Sequence, residues 1–209
     1  MYASLEEGPR ADVIIDFASA KAVDHLLDYC AATGTPVVLC TTGLSEEQIR
    51  RVEETAEKAA VLRSANMSLG INLLLKLVKE AARVLAAADF DIEILEKHHN
   101  RKLDAPSGTA LALADSINEA MESQYHYVYD RSSRRQKRDP KEIGIQSVRG
   151  GSIVGEHDVI FAGQDEVITI SHTAYSRAIF AKWAAAAAKS LDGTPSGPSA
   201  LAHPLCKFP

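Results

Sequence analysis

Fifteen residues, Glu96 to Ala110, bring together two adjacent imidazoles (His98 and His99), an ammonium group (Lys102) and the run Pro106-Ser107-Gly108-Thr109. An imidazole titrates near ~6.5 and can give up a proton at neutral pH; an ammonium beside it can hold a carboxylate or depress that pKa by its own charge. Ser107-Gly108-Thr109 after a proline reads as a helix start, whose N–H groups and hydroxyls converge outward on an anion. These groups suit proton transfer to a substrate carrying one or two carboxylates. If a strand runs through the histidines they point to opposite sides, so one faces a given substrate atom and the other orients it. Taken singly, Ser107 is a plain N-cap and Lys102 a surface charge; their concentration in one segment is what argues for chemistry. A metal is the weaker alternative, because metalloprotease zinc needs His-Glu-x-x-His on a helix and adjacent strand histidines do not chelate together easily. His157 and His172 each fall inside an apparent strand and could be core or interface histidines; His157 in particular is read that way.

The elements around this segment decide whether it can be held in place. Phe90, Ile92 and Ile94 alternate and predict a strand from Phe90 to His98, while Leu111, Leu113, Ala114 and Ile117 recur at helical spacing and predict a helix from Ser107 to about Glu122. The histidines and Lys102 thus lie on a strand-to-helix loop, where rigid elements commonly present catalytic groups. Earlier in the chain, strand and helix alternate: Val13 to Phe17, a helix over about Ala20 to Ala31, Pro36 to Cys40, a helix from Ser45, and Val61 to Ser64. Such alternation implies a parallel sheet, and the nearly continuous apolar runs imply strands covered on both faces. Ser45 with Gln48 three residues on forms a capping box. Thr41-Thr42-Gly43 follows a strand's carboxyl end, where open α/β sheets bind ligands. After Asn66 come a long helix to about Ala88 and then strands at about Tyr125 to Tyr129, Ile143 to Val148, His157 to Phe161 and Val167 to His172, an α+β unit with a mainly antiparallel sheet. The Ala-rich helix Ser176 to Leu191 is too weakly amphipathic to stand alone and must pack on something large. The tail from Gly193 is Pro, Gly and Ser-rich and is expected to be loosely ordered.

Composition narrows the classes of function. At 209 residues and 46% hydrophobic content the chain can bury a sizeable core. A net charge of -5 argues against nucleic acid or an anionic membrane as partner, and the basic run Arg131, Arg134, Arg135, Lys137, Arg138 reads as a solvated loop because no aromatics interleave with it. The tyrosines Tyr125, Tyr127 and Tyr129 precede it and alternate as in a strand. Cys30, Cys40 and Cys206 lack Cys-x-x-Cys spacing, so reduced thiols fit best. No apolar run reaches the ~20 residues that span a bilayer and the start has no signal pattern, so a soluble cytoplasmic protein is expected.

The motif Glu96-x-His98-His99-x-x-Lys102-x-Asp104-x-Pro106-Ser107-Gly108-Thr109-Ala110 resembles the signature of the 4-hydroxy-tetrahydrodipicolinate reductase (dihydrodipicolinate reductase) family. Asp16-Phe17, Thr41-Thr42-Gly43, Ala65-Asn66-Met67-Ser68, Val148-Arg149-Gly150-Gly151, Ile153 to His157 and Ser176-Arg177 extend the resemblance to about Leu191. It implies a partial Rossmann-type parallel sheet in residues 1–67, a substrate and oligomerisation domain in 68–176, and a last helix in 177–209 that returns to the cofactor domain. The implied activity is NADH- or NADPH-dependent reduction of a cyclic dicarboxylate in lysine and diaminopimelate biosynthesis by a homotetramer without metal. Carried over by position, His98 is the proton donor and Lys102 the catalytic cation on a substrate carboxylate. His99, Ser107, Gly108 and Thr109 bind substrate, and Cys40, Thr41, Thr42, Ser64, Ala65, Asn66 and Met67 hold the nicotinamide end of the cofactor. Cys40 stands where many relatives have Gly, which touches packing rather than chemistry. The family's first strand and its Gly-x-x-Gly-x-x-Gly pyrophosphate turn have no counterpart here, so roughly two strand-helix units, on the order of 60 residues, are expected to be missing upstream of Val13. That leaves Val13-Ile14-Ile15 as an apolar edge and the choice between NADH and NADPH unread. It also raises the rival expectation of a catalytically silent dicarboxylate-binding or assembly module.

Overall fold

Val37, Val38 and Leu39 are all fully buried, which requires a strand with helices on both sides. In the computed structural model, which describes residues 2, 4–64, 66–191 and 193–194 and the backbone of 201–202, that strand is β2 (Val37–Leu39). It lies between β1 (Ile14–Asp16) and β3 (Val61–Arg63), all parallel. Side chains alternate across the sheet. Val37, Leu39 and Val61 pack against α1 (Ala20–Thr33) and α2 (Glu46–Ala56), through Val23, Leu26, Leu27, Cys30, Val52 and Ala56. Val38, Cys40 and Leu62 face the other way, onto Ala184, Ala187 and Leu191 of the helix Ala178–Leu191. Alanine at two of its three buried positions adds little bulk between helix and sheet, which accounts for a segment whose amphipathicity is weak. The capping box at Ser45 and Gln48 is present, with both reciprocal hydrogen bonds. The composition of the tail predicts loose order, yet Leu201–Ala202 pairs in parallel with β3, since adding an edge strand needs only backbone groups.

The chain divides into two units, Met1–Leu69 with Ala178–Pro209, and Gly70–Arg177. In the second, α3 (Leu69–Leu85) buries Ile71, Leu74, Val78 and Ala82 at helical spacing, and α4 (Gly108–Ala120) buries Ala110, Leu113, Ala114 and Ile117. Both cover one face of a five-stranded sheet of β4 (Asp91–His98), β5 (His126–Val128), β6 (Glu142–Arg149), β7 (Gly155–Ala162) and β8 (Val167–Ala174), whose order is β5-β6-β4-β7-β8. The sheet is mixed, with its longer run of pairing antiparallel, as expected. β5 with β6 and β6 with β4 are parallel, and β4 with β7 and β7 with β8 are antiparallel. The parallel half follows from α4, which lies between β4 and β5 in the chain as a crossover and covers the sheet face. Numbered in chain order, the helix Ala178–Leu191 is α5 and the strand Leu201–Ala202 is β9.

The basic run is also more than a solvated loop. Arg134, Arg135 and Lys137 are exposed, but Arg138 donates to Glu93 at 3.0 Å, Asp91 at 2.7 Å and the carbonyls of Ile92 and Glu142, while Arg131 pairs with the buried Glu142. These two arginines fasten the ends of β4 and β6. Gly144 on β6 is part of the same device, since a Cβ there would fall 1.8 Å from the Glu93 carboxylate. Gly144→Ala is therefore expected to push Glu93 away from Arg138 and to cost about 1–2 kcal/mol, within the usual span for a disrupted ion-pair network. Urea melts of Gly144→Ala, Glu93→Ala and the double variant check this; additive losses would show that the two positions do not communicate.

Candidate active site

β4 alternates between half-buried and buried positions, and its buried side carries Ile92, Ile94, Glu96 and His98 in succession. Two apolar residues seat the strand in the core, and the next two places on that side present a carboxylate and an imidazole. The register supplies their neighbours. Glu96 lies opposite His157 of β7 and Ser147 of β6, and His98 lies opposite Arg149. Ser107, the N-cap of α4, comes onto the same group, its hydroxyl accepting from the Ala110 N–H at 3.1 Å.

Glu96 is 0% exposed. Its Oε2 lies 2.5 Å from His98 Nδ1, Arg149 donates to both of its oxygens at 2.7 and 2.6 Å, and the Ser107 N–H donates to Oε1 at 3.0 Å. Burial by itself would raise the Glu96 pKa, but hydrogen bonds from Arg149, Ser147, His98 and Ser107 outweigh it and bring it to about 2. Arg149 also donates to the Asp104 carbonyl at 2.7 Å, which ties the loop after β4 to the end of β6.

As a core or interface histidine should be, His157 is buried, at 4% exposure, but it belongs to this cluster. Its Nε2 is 3.1 Å from Ser107 Oγ, its ring stands edge-on to His98 at 5.2 Å, and its Nδ1 has no hydrogen-bond partner. Burial first, then the neighbouring His98, lowers its pKa to about 4. It is neutral at pH 7. In the unfolded chain the same ring takes a proton near ~6.5, so the unfolded state binds more protons and stability falls as pH drops from about 6.5 to 4. The shift corresponds to about 3 kcal/mol. Unfolding in urea at pH 7 and at pH 4.5 should show this loss, and His157→Gln should make the slope in that window shallower, with the lowered His99 and His172 supplying part of what remains.

The two adjacent histidines are treated in opposite ways. His98 faces the buried carboxylate, whereas His99, one residue past the strand, turns its Nε2 to Arg177 at 2.8 Å. Burial, then Arg177, Arg101, His98 and Lys102, lowers the His99 pKa and keeps the ring neutral as an acceptor. Lys102 Nζ lies 2.8 Å from Asp104 Oδ1, an exposed carboxylate whose own pKa the lysine lowers. An exposed pair of this kind is worth little, so Lys102 can trade Asp104 for a carboxylate of a ligand. Gly108 is exposed with nothing within 4 Å of a Cβ position, and Thr109 is half-buried beside it, leaving the first turn of α4 open on that side. All six proton-donor and substrate residues expected from the sequence thus fall on the end of β4, the loop and the start of α4. Arg149 and His157, and any role for Glu96, were not read from the sequence. Among the described residues no group of His, Cys, Asp and Glu is disposed to hold a metal ion.

The residues expected to hold the cofactor lie in the other unit, after the carboxyl ends of β2 and β3. Cys40 and Met67 are buried in the core and can offer a ligand only backbone. Burial and the charge of Asp16 push the Cys40 thiol up to about 12, so it stays protonated. Thr41 donates to Asp16 Oδ2 at 2.5 Å, while Thr42 and Gly43 are exposed and Gly43 has a left-handed φ of 74° that favours glycine. Ser64 Oγ donates to the Asn66 carbonyl at 2.7 Å, and Asn66 Oδ1 accepts from the Ser68 N–H at 2.9 Å. Ala65 lies outside the described residues. Exposed loop backbone at the carboxyl ends of parallel strands is where open α/β sheets bind ligands.

Family models describe what this chain resembles. The model of the N-terminus of dihydrodipicolinate reductase matches residues 2–67 and that of its C-terminus matches residues 70–204. The chain is 56% identical over 198 residues to the 4-hydroxy-tetrahydrodipicolinate reductase of Caldanaerobacter subterraneus, a match covering 94% of this chain and 78% of that one. To the enzyme of the same name from Clostridium tetani it is 50% identical, over 90% of this chain and 73% of the relative. A solved structure, the dipicolinate-bound dihydrodipicolinate reductase from Paenisporosarcina sp. TG-14, superposes with a TM-score of 0.72 at 27% identity, covering 92% of this chain and 71% of that one. No described helix is long and apolar enough to cross a membrane.

Proposed function

Because the chain belongs to the dihydrodipicolinate reductase family, we propose that it reduces 4-hydroxy-tetrahydrodipicolinate to tetrahydrodipicolinate with NADH or NADPH, in the biosynthesis of lysine and diaminopimelate. The observation that carries this reading is one loop that holds an imidazole against a buried carboxylate, a cation on a replaceable partner and an open helix start. His98 donates the proton. Lys102 leaves Asp104 to hold one substrate carboxylate, and Ser107, Gly108 and Thr109, with the positive end of the α4 dipole, hold the other. His99, kept neutral by burial and then by the cations around it, binds the substrate as a hydrogen-bonding partner.

A bound nicotinamide cofactor supplies the hydride. The groups that would hold its nicotinamide end are the backbone from Cys40 to Gly43 and the Ser64, Ala65, Asn66 and Met67 segment, after β2 and β3. In our reading the protein works in the cytoplasm, supported by the free thiols of Cys30 and Cys40. It assembles as a homotetramer through the sheet of the second unit, supported by the exposure of Val167 and Ile168 on edge strand β8.

Calorimetric titration with NADH and NADPH, alone and with pyridine-2,6-dicarboxylate as a substrate mimic, tests the reading. Binding of a nucleotide and of the dicarboxylate is expected, followed by substrate-dependent oxidation of the nucleotide. Dicarboxylate binding with neither nucleotide would instead leave a non-catalytic dicarboxylate-binding module. Light scattering checks the tetramer.

A further inference from the structure

Resting on the reading of His98 as proton donor, we propose that Glu96 is its positioning residue: it accepts the hydrogen bond of Nδ1–H and thereby makes Nε2 the nitrogen from which His98 delivers its proton. A carboxylate has only acceptors to offer, so the nitrogen 2.5 Å from Glu96 Oε2 must carry the hydrogen. The carboxylate cannot turn away. Arg149 holds both oxygens, the Ser107 N–H holds Oε1, and the group is fully buried. Nor can it readily be neutralised, since those bonds keep it ionised down to about 2.

The far side of the ring carries a second, independent sign. A Cβ on Gly155 would lie 3.2 Å from His98 Nε2 and 3.5 Å from Cδ2, so glycine at the start of β7 leaves that nitrogen uncrowded. The groups around the ring are Glu96 on β4, Arg149 on β6, His157 on β7 and Lys102 on the loop, and Glu96 is the one hydrogen-bonded to it. In the transfer the Nε2–H bond breaks, the proton passes to the substrate, and the ring is left neutral with its Nδ1–H still on Glu96. A proton from solvent restores it at Nε2. Because Oε1 holds the Ser107 N–H, the same carboxylate keeps the donor and the start of α4 in fixed register.

Glu96→Gln keeps the shape and removes the charge. Its kcat is expected to fall about 10²-fold, in the manner of other carboxylate-held catalytic histidines, with a much smaller change in KM. Nitrogen NMR of the variant should show the neutral His98 ring no longer held to the Nδ1–H form, because an amide at position 96 can donate to Nδ1 as well as accept from it; a merely structural role would not move the tautomer. A variant with wild-type kcat and His98 still protonated on Nδ1 would overturn the proposal. Should Glu96→Gln fail to fold, nitrogen NMR of the histidine rings in the unmodified protein decides: neutral His98 protonated on Nδ1 upholds the role, and protonation on Nε2 ends it. An unmodified chain without reductase activity would instead count against His98 as donor, while the tautomer still decides the role of Glu96.

Discussion

A His98→Gln enzyme is expected to keep its fold and its affinity for dicarboxylates and to lose about 10²–10⁴-fold in kcat, the usual contribution of a positioned general acid. Its fold should survive because Glu96 does not become an orphaned charge: Arg149 still donates to both oxygens and the Ser107 N–H to one. The rate loss corresponds to a barrier raised by about 3–5 kcal/mol, which is far more than the few tenths expected of a surface change. Substrate-dependent oxidation of the nucleotide measures kcat, and titration with pyridine-2,6-dicarboxylate measures binding apart from chemistry. A rate equal to that of the unmodified protein would remove His98 from the mechanism.

What made the donor legible in the sequence is local: the types and spacing from Glu96 to Ala110, bounded by a period-two strand and a period-3.6 helix. The observed β4 and α4 begin and end within about two residues of those expectations. What was not legible is the company the donor keeps. Arg149 and Ser107 reach Glu96 and His157 across separations of 53 and 50 residues, set by which strands pair and in what register. Nothing in the run Val148-Arg149-Gly150 distinguishes an arginine aimed at a buried carboxylate from one in solvent. A parity argument comes closest. Gly155, His157, Val159 and Phe161 share the buried side of β7, and Ile143, Ile145 and Arg149 fall on alternate positions of β6. Once β4 is known to lie between these strands, His157 and Arg149 must arrive beside Glu96 and His98. The same long-range dependence hides the role of Arg138 from the sequence. Its partners Asp91 and Glu93 come from a strand more than forty residues earlier.

Lys102→Ala should act on both binding and rate, which separates it from His98→Gln. In the unliganded protein Lys102 is already committed to Asp104 at 2.8 Å, but Asp104 is 59% exposed and gains little from the pair. A substrate carboxylate that replaces Asp104 there makes a charge-assisted hydrogen bond worth about 1.5–3 kcal/mol, so KM is expected to rise by about 10–100-fold on losing it. A drop in kcat accompanies this, because an unanchored substrate no longer stays aligned with His98 and small misplacements are costly. Lys102→Arg restores the charge with a different shape, so it should recover most of the affinity but less of the rate. Salt offers a further check: weak electrostatic capture by Lys102 makes wild-type KM rise with ionic strength, and the alanine variant should have lost most of that dependence. An alanine variant with unchanged KM would mean that the carboxylate is held by the start of α4 alone, with Lys102 left as a partner of Asp104.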